Sequence, residues 1–394
     1  MGKKMLILNG SHSDIPLIQA AHSLGYQVVT SGNNPELIGH RYADQYVNAD
    51  YSDYEKMLWV AKKEEINAVC ACANDFGAIT ASYIGEHMGL KGHDPFETTL
   101  LLHHKDSFKR FAREWNIMTP PADSFDNPEK AKEAGRSYDF PRMVKPIDLT
   151  GGKGIARTNT LEEYDRAVEA AFLRSPSKRI VTEPYIDGTH HSFSTFLVGK
   201  KVLAYFSDNE YHYCNPYFVS TSAGPADRVE NYADILVEQV EKMARALNLC
   251  DGVFHMQYIL DHNTPHILEC TRRCSGDLYS LPVEHGLRIP WSLMMVSAEA
   301  GLDCTGFKGA AQKQSLGGRH CIMGDHNGKV REVRIAKELE PNIYDRMIWW
   351  KPGYEISNYM VDKLGILMLS YESREEMLDK TSRLTEMIEI VYED

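Results

Sequence analysis

Residues 252–277, GVFHMQYILDHNTPHILECTRRCSGD, narrow the folds open to this chain more than any other stretch. Val253–Leu260 and His266–Thr271 are apolar arms. Between them lies Asp261-His262-Asn263-Thr264-Pro265, a polar turn that ends in a strand-breaking proline, so the stretch reads as a β-hairpin. Pairing Leu260 with His266 across that turn sets Gln257 directly opposite Glu269. Cross-strand partners share a face, so a carboxamide and a carboxylate sit side by side. Thr271 is next along that face and Arg273 lies just beyond. Polar groups converging at the end of an apolar hairpin are a site geometry. Hard oxygen donors suit a divalent cation, and a guanidinium fork suits a phosphate. A sheet edge with one solvated face would alternate in the same way, so the distinction has to come from upstream.

Upstream, residues 144–155 read V-K-P-I-D-L-T-G-G-K-G-I. Lys145 ends a strand before Pro146, and Thr150-Gly151-Gly152-Lys153-Gly154 is a loop with unhindered backbone N–H groups. Such a loop can wrap a polyphosphate while lysines at either end neutralise it. It is not a Walker A loop, because no Ser or Thr follows Lys153. A glycine-rich hairpin turn would look similar in isolation. Followed by a carboxylate strand and the Gln257/Glu269 hairpin, the loop carries more weight.

Residues 4–93 alternate strand and helix, the pattern of a parallel sheet with helices on both faces. Lys4–Asn9 is the first strand, with Ser13 the expected N-cap of the helix that follows. The first turn, N-G-S-H-S-D, lacks the glycines of a dinucleotide fingerprint. Ser11-His12 and Asn74-Asp75 nevertheless fall at the carboxyl edge of that sheet, where open α/β folds bind ligands. Helix caps and turn chemistry would account for each of them singly. Pro95–Trp115 reads as one helix crossing a boundary, and Thr119-Pro120-Pro121 opens a second domain. The expected divisions are 1–115, 116–190, 191–310 and 311–394. The last is a small α+β unit with a hairpin at Asn327-Gly328 and a final helix capped by Ser373 and Glu376.

A net charge of −12, from 43 basic and 55 acidic residues, with no concentrated basic stripe, argues against a nucleic-acid partner. No apolar run is long enough to span a membrane, and MGKKMLILNG lacks the apolar region and cleavage site of a signal peptide. The expected compartment is therefore the cytoplasm, where the eight cysteines read mainly as small core residues. His262, His266, Cys270 and Cys274 have a tempting zinc spacing. The hairpin separates them, so they cannot close a tetrahedron.

The order of features is specific. An α/β domain is followed by Lys105, Lys145, the glycine loop, T-E-P-Y-I-D-G at 182–188, and then the hairpin with E-x-x-x-R from Glu269 to Arg273. This order resembles the ATP-grasp superfamily of carboxylate–amine ligases from the first strand to about residue 300. Lys351-Pro352-Gly353 and Leu364-Gly365-Ile366 resemble the C-terminal unit of its amino-acid ligase branch. The resemblance implies a Rossmann-like N-terminal domain followed by an ATP-grasp fold of two α+β subdomains that pinch a nucleotide. It also implies roles. Lys105 and Lys145 would hold the nucleotide phosphates, and Thr150, Gly151, Gly152 and Gly154 would cover them. Glu183 would be the hinge acid near the adenine amino group, with Tyr185 and Ile186 giving backbone contacts to the base. Glu269 would bind magnesium, and Arg273 would hold an acyl phosphate with backbone N–H groups near Ser275 and Gly276.

Three positions depart from the family pattern. Gln257 stands where most members have a metal-binding acid, Thr271 where an asparagine is usual, and His190 where an acid usually meets the ribose hydroxyls. The resemblance implies an enzyme using ATP and Mg2+, or Mn2+ in its place, to join a small-molecule carboxylate to an amine, with a homodimer common among relatives. A carboxylase using carboxyphosphate and a nucleotide-binding protein that has lost catalysis are the alternatives. Ser11, His12, Asn74, Asp75 and Gly276 are expected near the substrates, with the segment from Tyr205 to Pro225 as a candidate pocket wall.

Overall fold

The computed structural model describes residues 2–149, 151–309 and 313–393. Parallel strands β1 (Lys4–Ile7), β2 (Gln27–Gly32), β3 (Gln45–Asn48) and β4 (Ala68–Cys70) form the first sheet, in the order β3-β2-β1-β4. Alternation along β1 explains its two-sided burial. Met5 and Ile7 pack with Leu17 and Ile18 of α1 (Ile15–Ser23), while Leu6 and Leu8 pack with Met57 of α2 (Tyr54–Lys63) and Ala81 of α3 (Asp75–Met88). This is the expected Rossmann-like arrangement. One detail differs. A single 3-10 turn, His12–Asp14, precedes α1, so Ser13 is not its cap. The Ser13 hydroxyl instead accepts from the backbone N–H groups of Asp277 and Leu278, at 2.8 and 3.4 Å.

The helix expected from Pro95 to Trp115 is two helices, α4 (Phe96–His103) and α5 (Lys105–Glu114), broken at His104, which is extended. The break lets Leu102 of α4 and Phe108 and Phe111 of α5 enter one core, which a straight rod of that length could not do. It also puts Lys105 at the start of a new helix.

Antiparallel strands β5 (Asp123–Phe125), β6 (Arg142–Pro146), β7 (Ala156–Thr158) and β8 (Ile180–Pro184) form a second sheet in the order β5-β8-β6-β7. Helices α6 (Pro128–Gly135) and α7 (Leu161–Arg174) cover one face. Tyr164, Val168 and Phe172 form the apolar stripe of α7 and bury Val144 and Ile180. The loop between β6 and β7 holds the three glycines.

The third sheet contains β9 (Thr189–Val198), β10 (Lys201–Tyr211), β11 (Thr221–Gly224), β12 (Gly252–Asp261), β13 (Thr264–Thr271) and β14 (Gly317–Ile322). It packs on α8 (Ala233–Ala246), α9 (Ser280–Leu287) and α10 (Trp291–Glu299). The chain then adds β15 (Gly328–Ile335), β16 (Ile343–Ile348), β17 (Tyr354–Ile356), β18 (Gly365–Ser370), α11 (Arg374–Ser382), α12 (Leu384–Met387) and β19 (Ile388–Tyr392). Strands β14, β18 and β16 complete an eight-stranded sheet ordered β13-β12-β9-β10-β11-β14-β18-β16, while β15, β17 and β19 form a separate one. Asn327-Gly328 is therefore not a hairpin, because β14 and β15 lie in different sheets. The reason is burial: every residue of β14 is buried between β11 and β18, whereas half of β15 is exposed and only Val330 is buried. Ser373 does cap α11, accepting from Glu376 N at 3.1 Å. Among the described residues no helix is long and apolar enough to cross a membrane.

Candidate active site

Gln257 faces Glu269, but the hairpin reaches that register by another route. Leu260 pairs with Pro265 and Ile259 with His266, one residue away from the expected pairing of Leu260 with His266. The turn is shorter than the polar run implied. Asp261 pairs with Thr264 around His262-Asn263, and His262 takes the positive φ that a two-residue hairpin turn requires. A bulge at Leu268 takes up the extra residue and restores the Gln257–Glu269 pairing.

The polar face of the eight-stranded sheet forms one wall of a cleft of about 500 Å³, and the β6–β8 sheet forms the other. Lys145, Gly151, Gly152, Glu183, Tyr185 and Ile186 line the second wall, and Lys105 lines the cleft from the start of α5. His190, Gln257, Glu269, Thr271, Arg273 and Gly276 line the first. Thr150 lies outside the described residues. Ser11, His12 and Asn74 do not line the cleft. Ser11 bonds Asp14 through backbone N–H and hydroxyl, both at 2.7 Å, and Asn74 caps α3 through Phe76 N at 3.0 Å. His12 stacks on Trp349 at 4.8 Å and faces Asp277 at 3.6 Å. Of the N-terminal candidates, Asp75 does reach the cleft.

The end of the cleft at Lys145 is a charge network. Glu183, 1% exposed, pairs with Lys145 and with Lys109, the latter at 2.8 Å. Burial draws both amines down, Lys109 to about 7, while the nearby Glu269 carboxylate favours their charged forms. Lys105 lies 3.3 Å from Glu269. Gly152 has φ +72, and a side chain there would strike the Tyr217 carbonyl oxygen at 2.2 Å. Its smallness therefore lets the glycine loop touch the 216–219 loop of the opposite wall.

At the far end, the Arg273 Nε donates to Asp75 at 2.7 Å. Burial works against the charge on Asp75, but Arg273 and His103 outweigh it and hold the carboxyl well below its usual range. Asp277 is likewise held low, against burial, by Lys363 and Arg319. Among the described residues, Thr271 Oγ1, Ser275 Oγ and Arg319 Nε are buried without partners, and all three residues line the cleft. Gln257 Nε2 donates to both oxygens of Glu210, at 2.8 and 2.7 Å. Burial and the nearby Asp208 push Glu210 up to about 8. Glu269, Gln257 and Glu210 together form an oxygen-rich donor set that fits a hard divalent cation, whose charge would draw Glu210 back to its ionised form.

Sequence reasoning missed Lys109, Glu210 and Arg319. Lys109 had a signal, since it follows Lys105 by one helical turn and shares its face. Glu210 and Arg319 had none, because only the pairing of β9, β10, β11 and β14 brings them to the cleft. In the segment from Tyr205 to Pro225, His212 and residues 216–219 line the cleft, whereas Tyr205 stacks on Phe193 in the core.

Residues 103–215 match the family model of the phosphoribosylglycinamide synthetase ATP-grasp (A) domain. The chain is 24% identical over 274 residues to the carbamoyl phosphate synthase large chain of Thermoanaerobacter sp. (strain X514), covering 67% of this chain and 25% of that protein. It thus spans about a quarter of the length of that relative. Its fold matches the L-amino acid ligase from Bacillus licheniformis with a TM-score of 0.83 at 19% identity, covering 100% of both chains. It also matches the biotin carboxylase domain of Hydrogenobacter thermophilus 2-oxoglutarate carboxylase, with a TM-score of 0.79 at 17% identity over 99% of this chain and 91% of that one. With Lys105, Lys145, the glycine loop and the Gln257–Glu269 hairpin meeting across one cleft, the chain has the ATP-grasp fold, and its residues 103–215 match an ATP-grasp domain.

Proposed function

We propose that this protein is an ATP- and Mg2+-dependent ligase that activates a carboxylate as an acyl phosphate and joins it to an amine. One observation carries the reading: a phosphate-binding wall of Lys105, Lys145 and the glycine loop faces an oxygen-donor and arginine wall of Glu269, Gln257 and Arg273 across a single cleft. A carboxylate oxygen attacks the terminal phosphorus and ADP leaves. The amine nitrogen then attacks the acyl carbon, the carbon–nitrogen bond forms, and phosphate leaves with the amine proton released.

Each wall has work to do in that sequence. Carboxylates are poor electrophiles, so positioning and charge neutralisation do most of the catalysis. Lys105 and Lys145 would hold the phosphates, and the carboxylate of Glu183 keeps Lys145 aimed at the cleft floor. Tyr185 and Ile186 would meet the adenine edge with their backbone. Glu269 and Gln257, with Glu210 beside them, would hold Mg2+ or Mn2+, which when bound neutralises charge on the phosphate oxygens. Arg273, fixed by the ionised Asp75, would hold the acyl phosphate, helped by the hydroxyl of Ser275 and the backbone of Gly276. Gly151, Gly152 and Gly154 allow the loop to close over the site and exclude water. Of the N-terminal candidates, Asp75, which lines the cleft, would meet the substrate.

The Hydrogenobacter domain is described in complex with MgADP and bicarbonate. That favours, as a second reading, bicarbonate as the carboxylate that is phosphorylated. Purified protein with Mg-ATP, tested for ADP release against pairs of carboxylates and amines with products read by mass, separates the two. ADP that depends on one pair, with a product lacking one water, supports the ligase. ADP that depends on bicarbonate supports the carboxylase. Nucleotide binding without turnover under any condition would leave a non-catalytic protein.

A further inference from the structure

We infer that a side pocket opening off the cleft beside Asp75 takes the amine substrate, with the nitrogen at the Asp75 carboxylate and a short branched aliphatic chain in the apolar interior. The inference rests on the proposed ligase reaction and names the class of amine it uses.

The pocket, about 40 Å³, lies where the start of α3, the break between α4 and α5, and the chain leaving β6 meet. Asp75, Lys105, Leu149, Glu269 and Thr271 line both this pocket and the cleft, so the two are continuous there. The interior is hydrocarbon, supplied by Phe76, Ile79, Leu102, Phe108 and Ile147. Phe76 is 37% exposed, so its ring offers apolar surface to an occupant instead of filling a core of the chain.

The mouth is polar and sorted by charge. Asp75, Asp148 and Glu269 set three carboxylates against the one ammonium of Lys105, and burial holds the His104 imidazole below its usual value. That balance favours a cation and opposes a carboxylate. Asp75 Oδ1 accepts from Arg273 Nε at 2.7 Å and faces His103 Nδ1 at 3.2 Å. Among the described residues, no hydrogen-bond donor reaches Asp75 Oδ2, and Thr271, 6% exposed, has its Oγ1 buried without a partner. One carboxylate oxygen and one hydroxyl are therefore left for the N–H groups of an incoming amine. Arg273, the residue expected to hold the acyl phosphate, is bonded to Asp75, so a nitrogen held there lies beside the acyl group it attacks.

Size then sets the class. A volume of about 40 Å³ holds about three groups of water or methyl size. An isopropyl or isobutyl group fits, and a benzene ring does not. The other region beside Arg273, where Ser275 Oγ and Arg319 Nε lack partners among the described residues, is polar and is left for the carboxylate substrate.

The test is a saturation-transfer NMR titration of the full chain, in the presence of Mg-ADP, with methylamine, isobutylamine, benzylamine and isobutyrate. Wild type should hold isobutylamine at least about tenfold more tightly than methylamine, each buried carbon being worth about fourfold. Benzylamine is too large and isobutyrate has the wrong charge, so neither should bind better than methylamine. Ile79→Phe fills the pocket and should erase the preference while ADP affinity, read by calorimetry, stays within about twofold. Phe76→Ala, at an exposed position, should weaken isobutylamine about fourfold and decides the matter if Ile79→Phe does not fold. Equal affinity for methylamine and isobutylamine, binding of isobutyrate as tight as that of isobutylamine, or a preference that survives in the variants would overturn the inference. Turnover of a carboxylate–amine pair without selective amine binding would overturn this inference alone. Selective binding of isobutylamine with no pair turned over would overturn the ligase reading and, with it, the role of the bound amine as substrate.

Discussion

Gln257 donates its amide to both carboxylate oxygens of Glu210, at 2.8 and 2.7 Å, from a strand two places away in the sheet. With its N–H groups tied to Glu210, Gln257 has its carbonyl oxygen left for a cation. Burial holds Glu210 up at about 8, and a bound cation would ionise it, so that position 210 would supply the negative charge absent at position 257. A glutamine at the proposed metal site is thus compatible with a working site.

That arrangement sets the outcome of Gln257→Glu. A second carboxylate within hydrogen-bonding distance of Glu210 cannot ionise alongside it without a large cost. Turnover is expected to fall at least about tenfold, one pKa unit of mismatch being worth ~1.4 kcal/mol. Glu210→Ala should weaken Mn2+ binding in the presence of ADP by about 10–100-fold, the range for lost supporting ligands, read by electron paramagnetic resonance. A large gain in turnover for Gln257→Glu would instead mark the site as a decayed one.

Arg272 and Arg273 are adjacent but do different work. Arg272, with its side chain 7% exposed, pairs with Asp94 at 2.7 Å and donates to the carbonyls of Val253 and Cys250. Arg272→Ala should therefore lower unfolding stability by about 3–5 kcal/mol, because it leaves Asp94 buried and unpaired. Arg273→Lys keeps the positive charge beside Asp75 but loses the planar fork. It should lower kcat/KM by about 100-fold with little change in Tm. Denaturant titration and steady-state kinetics on both variants separate the roles, and reversed phenotypes would refute the assignment.

Gly152→Ala combines a positive φ of +72 with a Cβ placed 2.2 Å from the Tyr217 carbonyl oxygen. Strain of about 1–3 kcal/mol should raise the KM for ATP by ~10-fold or more. Gly151→Ala meets no atom within 4 Å and carries only the backbone strain of its own φ of +64. A larger KM effect at Gly151 than at Gly152 would show that the contact with the 216–219 loop is unimportant.

Glu299 links α10 to the first sheet, accepting from Ala71 N at 2.5 Å. Burial pushes its carboxyl up to about 7. The folded state then holds a proton that the unfolded chain releases above its ordinary value of 4.5. The stability contributed by the neutral acid is full below about pH 4.5 and falls as pH rises through about 7. Glu299→Gln keeps an acceptor for Ala71 and cannot ionise. Relative to wild type it should gain up to about 3 kcal/mol between those limits, seen as a rising difference in denaturation midpoint. A flat difference would place the carboxylate elsewhere in its titration.

The residues of the cleft came into view from sequence unequally. Lys145, the glycine loop, Glu183, Glu269 and Arg273 stand at the ends of strands or in the loops between them, and their order along the chain is itself a signal. Periodicity and turn chemistry marked most of the strands and helices that carry them. The Gln257–Glu269 pairing was also legible, although the chain attains it through a two-residue turn and a bulge. Local propensity sees neither, because a bulge offsets a turn some residues away.

What the amino-acid order alone determined is the set of elements, the superfamily likeness and the groups that lie near each other along the chain. Tertiary structure decided the rest. It brought Glu210 to Gln257 across β9, His190 against His212, and β14 into the large sheet, away from β15. It also left Ser11 and Asn74 to local turns and caps. The physical reason is common to all of these: strand neighbours are chosen by burial and by backbone hydrogen bonds between distant segments, and a sequence records each strand's pattern but not which partner satisfies it.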